Sequence, residues 1–327
     1  MTLELEYRAA RENAALIDLS ARGKIEVTGT DRVSFLHNIL SQDIKTIPTG
    51  GGRPAALLSA PAKVLALMNV WKLEDKILLD TDPGFEEKLL SLLEKIIITE
   101  EVALRKATHE YAHFQIKGPK TEAVFNKCRL QAGAFLCGCP SERAATEGRP
   151  YSRPRNDIIL IAPQADGNII LQSLVDAGTV RLGAETAEVL RIEEGIPRYG
   201  VDITEEVSLP ETGLDETYAS ETKGCYPGQE VIARTKTYKG LQRKMTGLVF
   251  EKEKTPKAGS KIYAGEKEIG WITSSCISPA FGGIALGYLT KEFFPAEGEK
   301  FREVEIKTGS GSIPAKTRPL PFYLLSG

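Results

Sequence analysis

From about residue 243 onward the pattern of the chain changes. Short alternating runs at Thr246–Glu251, Lys261–Ala264, Glu268–Ser274, Ile284–Leu289, Phe301–Ile306 and Ser312–Lys316 are punctuated by glycine and proline. Strands this short cannot bury a face alone, so a series of them at close spacing predicts a small antiparallel barrel or sandwich. Upstream, strand-like and helix-like stretches alternate irregularly. Lys24–Gly29 alternates like a strand, and Asp31–Gln42 sets Val33, Leu36, Ile39 and Leu40 on one helical face. Val64–Trp71 and Lys76–Asp80 read as paired strands. Asp82-Pro83 reads as the N-cap and first residue of a helix reaching Ile97. Strands at Val102–Thr108, Tyr111–Lys117 and Asp157–Ile161, and helices at Pro119–Arg129, Asn168–Ala177 and Glu185–Glu194, complete this part; Gly195 and Pro197 end the last helix. The class is α+β. An α+β body over 1–243 and an all-β domain over 244–327 fit a 327-residue chain, which is long enough for about two domains.

Composition removes several functions. Lys+Arg 42 against Asp+Glu 44 gives a net charge of −2, unlike a dedicated duplex-DNA binder. The five cysteines (128, 137, 139, 225 and 276) are too scattered for a disulfide framework, which points to a reducing, cytoplasmic compartment. The first residues, MTLELEYRAARENAALIDLS, carry acids where a signal peptide needs bases. No apolar run reaches the ~18 residues of a membrane span, since Pro61 and Lys63 break the richest stretch. A soluble protein without a membrane partner is expected. Charge is nonetheless segregated: Glu185 to Glu221 holds eleven acids and two bases, and Lys223 to Lys244 six bases and one acid. A solvated face accounts for most such runs; an anion-binding groove beside an acidic wall is the sharper reading.

Three motifs dissolve on inspection. His109-Glu110-Tyr111-Ala112-His113 has the H-E-x-x-H spacing of zinc proteases, but that chemistry needs a helix to bring both histidines to one metal. Here Ala112, Phe114 and Ile116 alternate as in a strand, where residues four apart lie roughly 13 Å from each other. Cys128, Cys137 and Cys139 lack paired C-x2-C knuckles and read as small, partly buried thiols. Thr49–Arg53 is glycine-rich but has no Gly-Lys-Ser/Thr ending, so it reads as a turn. No metal site is expected.

The informative stretch is KGCYPGQE, Lys223 to Glu230. Gln229–Thr235 can form a short helix, so Cys225 falls just ahead of a helix N-terminus, where unpaired N–H groups favour a thiolate. Lys223 adds positive charge two residues away, and the flanking glycines admit another molecule close to the sulfur. The residues alone leave a reactive thiol and an inert turn cysteine equally open.

With the VIAR that follows it, this octapeptide resembles the signature of the YgfZ-type folate-binding proteins, relatives of the glycine-cleavage aminomethyltransferase that include an iron–sulfur assembly factor. Ala14–Asp43 resembles the family's opening, Leu190–Asp202 (LRIEEGIPRYGVD) its folate-contacting segment and Gly270–Leu289 its C-terminal barrel. The resemblance implies a three-subdomain cloverleaf of the aminomethyltransferase type with a C-terminal antiparallel β-barrel, holding tetrahydrofolate or a derivative. It implies that Glu193 pairs with the amino and ring N–H edge of the pterin, with Tyr199 near the ring. The basic run, with Lys223, Arg234, Lys236 and Lys239, would then anchor the folate carboxylates, and Gln229 stands where the transferase tends to carry arginine. The Asp-Asp pair of the transferase is replaced by Ala66 and Leu67, which removes the carboxylate expected to handle protons at the reacting folate nitrogen.

The resemblance thus implies a folate-binding, non-catalytic maturation factor. It would serve iron–sulfur clusters in client enzymes, tRNA-thiomethylating ones included, through the thiol of Cys225, with Lys223 beside it. Its partners would be those client proteins or assembly factors. A folate-dependent aminomethyl or one-carbon transferase is the alternative. Direct nucleic-acid binding through Arg234–Lys244 and Tyr238 is the weaker one, because the six bases of Lys223–Lys244 lack an aromatic platform.

Overall fold

The computed structural model describes residues 2–128, 135–138, 157–238, 240–251, 255–294, 301–309 and 311–325. The chain divides into two units. Met1–Ser59, Leu65–Gly183 and Glu216–Pro227 make the first; Ala60–Val64, Ala184–Asp215 and Gly228–Gly327 make the second. Arg129, Cys139 and Lys239 lie outside the described residues.

The first unit contains α1 (Leu3–Glu12), β1 (Ala15–Asp18), β2 (Gly23–Thr28), α2 (Arg32–Ile39), β3 (Gly52–Leu58), β4 (Val64–Lys72), β5 (Ile77–Thr81), α3 (Glu86–Glu94), β6 (Ala103–Lys106), β7 (Tyr111–Lys117), α4 (Thr121–Phe125), β8 (Phe135–Gly138), β9 (Ile158–Pro163), α5 (Gly167–Asp176) and β10 (Val180–Arg181). They form two five-stranded sheets, ordered β3-β4-β5-β2-β6 and β10-β1-β7-β9-β8. Strand alternation explains how β4 serves two layers. Ala66, Met68 and Val70 enter a core with Phe35 and Leu36 of α2 and Leu89 and Leu93 of α3. On the opposite face Trp71 packs with Leu78, Tyr111, Ile159 and Ile161, joining the two sheets.

Two departures from the sequence reading have identifiable causes. The helix expected from Asp82-Pro83 begins only at Glu86, because the Asp82 carboxylate pairs with Arg22 Nη1 at 2.8 Å and Gly84 turns the chain through φ +83°. The glycine-rich turn at 49–53 runs directly into β3. Gly52 starts that strand because a side chain there would collide with the Trp71 ring, its Cβ lying 1.9 Å away. His109 and His113 do fall outside any α-helix: a 3-10 turn covers Thr108–Glu110 and β7 follows. His109 is exposed and His113 buried, so the pair shares no face.

The second unit holds α6 (Ala184–Glu193), α7 (Leu209–Thr212) and α9 (Gln229–Tyr238); the turn α8 (Asp215–Tyr218) leads back into the first unit. Strands β11 (Arg243–Phe250), β12 (Lys261–Ala264), β13 (Lys267–Ser278), β14 (Gly282–Thr290), β15 (Glu303–Thr308) and β16 (Gly311–Arg318) close a barrel in the order β11-β14-β13-β12-β15-β16. The antiparallel barrel expected from the punctuated runs is therefore present. Its alternate residues, including Leu248, Ile262, Ile272, Leu289 and Ile306, fill the interior, and closure leaves no free edge. Among the described residues no helix is long and apolar enough to cross a membrane.

Candidate functional site

In the second unit, the segment Ala184–Asp202 is locked to the barrel by one carboxylate. Asp202 Oδ1 accepts the hydroxyls of Thr273 and Ser274, each at 2.6 Å. Its Oδ2 accepts Arg191 Nη1 at 2.7 Å and the Arg198 N–H at 2.9 Å. Neighbours along a strand normally face opposite ways; Thr273 and Ser274 reach the same oxygen because the register of β13 shifts between Ile272 and Ser274. Arg191 spends its remaining donors on Glu188, Ser274 and the Ile196 carbonyl. Four donors on a carboxylate without exposed surface are what make its burial tolerable.

Two residues beyond Arg191, Glu193 ends α6 with no exposed surface, so it is no helix-surface acid. Its Oε1 accepts the Ser278 hydroxyl at 2.5 Å, and Ser278 Oγ in turn accepts the N–H groups of Ala280 and Phe281, both at 3.0 Å. Tyr199 is buried and bridges to Ile203 in the turn that leads to Asp202. Gln229, half-buried, opens α9, and exposed Arg234 pairs with Glu230 one turn earlier at 2.6 Å. Glu193, Tyr199, Gln229 and Arg234 thus belong to the second unit, and Lys223 and Cys225 to the first.

Of the cysteines at 128, 225 and 276, only Cys225 is exposed. Burial raises the Cys128 thiol above its ordinary value. Burial, reinforced by Glu193 and Glu188, pushes the Cys276 thiol up to about 12, leaving it protonated and inert. Cys225 lies four residues ahead of α9 in an open loop, and a side chain added at Gly224 would meet nothing within 4 Å. Lys223 stands two residues before Cys225 in the chain. It is buried, and its ammonium donates to the carbonyls of His37, Leu40 and Gln42. Burial pulls its pKa down to about 8.

The positions where the transferase pattern carries aspartates are apolar and buried: Ala66 lies in the core beneath α2 and α3, and Leu67 on the other face of β4. That second face carries Asp80, paired across the ladder with Asn69. Its oxygens accept Arg22 Nε at 2.8 Å and Asn69 Nδ2 at 2.9 Å. Burial alone would raise its pKa, but Arg22, His113 and Asn69 hold it well below the usual carboxylate range. The adjacent His113 is kept neutral at pH 7 because burial lowers its pKa. Asp80 is an ionised, neutralised partner of arginine and cannot carry a proton near neutral pH. Sequence reasoning missed this cluster and Asp202; the only signal was an acid within an otherwise apolar strand, ILLDT. Among the described residues no group of three or more His, Cys, Asp or Glu is arranged to hold a metal ion.

Residues 2–135 match the GCVT N-terminal domain, and residues 243–323 match the glycine cleavage T-protein C-terminal barrel domain. A chloroplastic protein of Arabidopsis thaliana, named for an inferred transferase activity, is 28% identical over 288 residues, or 85% of this chain. The match spans 65% of that relative's length. The aminomethyltransferase of Corynebacterium aurimucosum is 26% identical over 334 residues, covering 97% of this chain and 89% of that protein. The crystal structure of the glycine cleavage system aminomethyltransferase T from Bartonella henselae matches with a TM-score of 0.81 at 22% identity, covering 98% of this chain and 89% of that one. The fold is therefore of the aminomethyltransferase type.

Proposed function

Because the chain carries both the GCVT N-terminal domain and the T-protein C-terminal barrel domain, and so stands close to the aminomethyltransferase family, we propose that it binds tetrahydrofolate or a derivative. The residues fit that group: Glu193 is a buried acceptor fixed by Ser278, the complement of a pterin edge that offers an amino group and a ring N–H. Bound folate would supply a carrier for one-carbon units. Glu193 would orient it, with Gln229 and Arg234 of α9 as further polar contacts.

In this reading the transfer step is lost, and the protein serves assembly or repair of iron–sulfur clusters in client enzymes, those that thiomethylate tRNA among them. The observation that carries it is the pairing of buried, apolar Ala66 and Leu67 with an exposed Cys225. A soft thiolate suits iron. One thiol is not a cluster site, since four ligands are typical, so any cluster remains the client's and Cys225 engages it only together with a partner's ligands. The clients and assembly factors are the expected partners.

A second reading, a folate-dependent aminomethyltransferase, is favoured by near-full-length similarity to proteins of that name. One experiment separates them. The purified protein is titrated with tetrahydrofolate and then supplied with an aminomethyl donor. Binding without turnover supports the accessory reading; catalytic formation of the one-carbon folate overturns it.

A further inference from the structure

The KGCY segment is built as a bracket. Helix α2 ends at Ile39, and Ser41 N–H bonds to Ala56 O instead of closing another helical turn, so the His37 carbonyl is left without a helical donor. The Lys223 ammonium fills that place and also takes the Leu40 and Gln42 carbonyls, a cation at the negative end of a helix. Three further bonds tie the same loop to the same segment: Ser41 Oγ to Tyr218 O at 2.6 Å, Gln42 Nε2 to Thr217 O at 3.1 Å, and Ser220 N–H to Ser41 O at 2.9 Å. Tyr226 is buried on the far side of the cysteine, and the Lys223 ammonium sits 5.0 Å from its ring centroid. Two buried legs, Lys223 and Tyr226, therefore straddle an exposed tip, Gly224-Cys225.

We infer that Lys223 is a positioning residue for Cys225: its ammonium, held by the carbonyls at the end of α2, pins the loop so that the thiol is presented outward in one conformation. Lysine is the residue this geometry requires, because three carbonyls converge and only a compact cation with three rotatable donors can meet them together. The pin stands on geometry alone; its consequence for clients rests on the proposed role of the thiol.

The test uses the full chain, reading amide hydrogen exchange and the iodoacetamide alkylation rate of Cys225 by mass spectrometry. In Lys223→Met, exchange across 217–226 should rise at least tenfold and the alkylation rate should change, while exchange in β2 and β5 stays as in the wild type. Tyr226→Leu, which removes the other leg and keeps the cation pin, should move both readouts in the same direction by less, and serves if the first variant does not fold. Wild-type exchange and alkylation in both variants would overturn the inference. If the loop loosens but client enzymes are still matured, the pin stands and the proposed thiol role falls.

Discussion

Removing the Asp202 carboxylate tests whether one buried acid holds the Glu193 segment on the barrel. In Asp202→Ala, the Thr273 and Ser274 hydroxyls and the Arg198 N–H lose an acceptor at 2.6, 2.6 and 2.9 Å, and Arg191 loses a fully buried carboxylate at 2.7 Å. Deleting one member of a buried ion pair costs about 3–5 kcal/mol, and orphaned donors add to it. Arg191 keeps Glu188 and the Ile196 carbonyl, which moderates the loss, so about 4 kcal/mol is expected. Asp202→Asn keeps the shape and one acceptor oxygen but turns an amide toward two donors; about half that loss is expected. The two tryptophans make the assay specific. Trp71 lies in the first unit and Trp271 on β13, so urea unfolding followed by fluorescence in a Trp71→Phe background reads the second unit alone. The order wild type, Asn, Ala should appear in the midpoints at constant slope. An alanine variant within about 1 kcal/mol of wild type would refute the reasoning, because solvent would then be reaching the donors that Asp202 satisfies inside the protein.

Other consequences follow the same logic. Glu193→Gln should weaken tetrahydrofolate binding by about 2 kcal/mol, roughly thirtyfold in a calorimetric titration, with the unfolding midpoint unchanged. Equal affinity would remove Glu193 from the site. Glu26 accepts Tyr111 Oη at 2.5 Å, Lys76 at 3.0 Å and Arg105 at 2.6 Å. Burial raises its pKa, but these bonds prevail and hold it at about 2, below the ordinary 4.5. The folded-state pKa is depressed, so the stabilisation of about 3 kcal/mol is complete above pH 4.5 and is lost as pH falls toward 2. The gap between wild type and Glu26→Gln in urea midpoints should close over that window, and a gap independent of pH would contradict the assignment. Leu67→Asp, which nominally restores a transferase carboxylate, adds a further acid to the sheet face that already holds Asp80. It should cost at least about 3 kcal/mol and restore no turnover. A stable, active variant would revive the transferase reading.

The barrel was legible because period-two runs broken by glycine are a local signal, and all six strands lie within a few residues of where the pattern puts them. What escaped was set by distant partners. Asp82 looks like a helix cap until Arg22, 60 residues earlier, takes its carboxylate. Asp202 is one acid among eleven in its stretch, and only a β13 irregularity 71 residues on makes it a clamp. Lys223 was read for its closeness to Cys225 in sequence, and the carbonyls its ammonium takes, more than 180 residues away, were not foreseen. Strand β3 was hidden because Gly52, which a turn would also favour, is there for the Trp71 ring. Local chemistry predicted elements; long-range pairing decided what the polar residues within them do.

The central claim is that this chain keeps the folate-binding frame and works through an exposed sulfur. The direct measurement is recovery of an iron–sulfur enzyme's activity in a strain lacking this protein, with wild type and Cys225→Ala expressed at equal levels. Recovery by wild type alone, with tetrahydrofolate affinity equal in both proteins, is the expected result. Full recovery by the alanine variant would contradict the account.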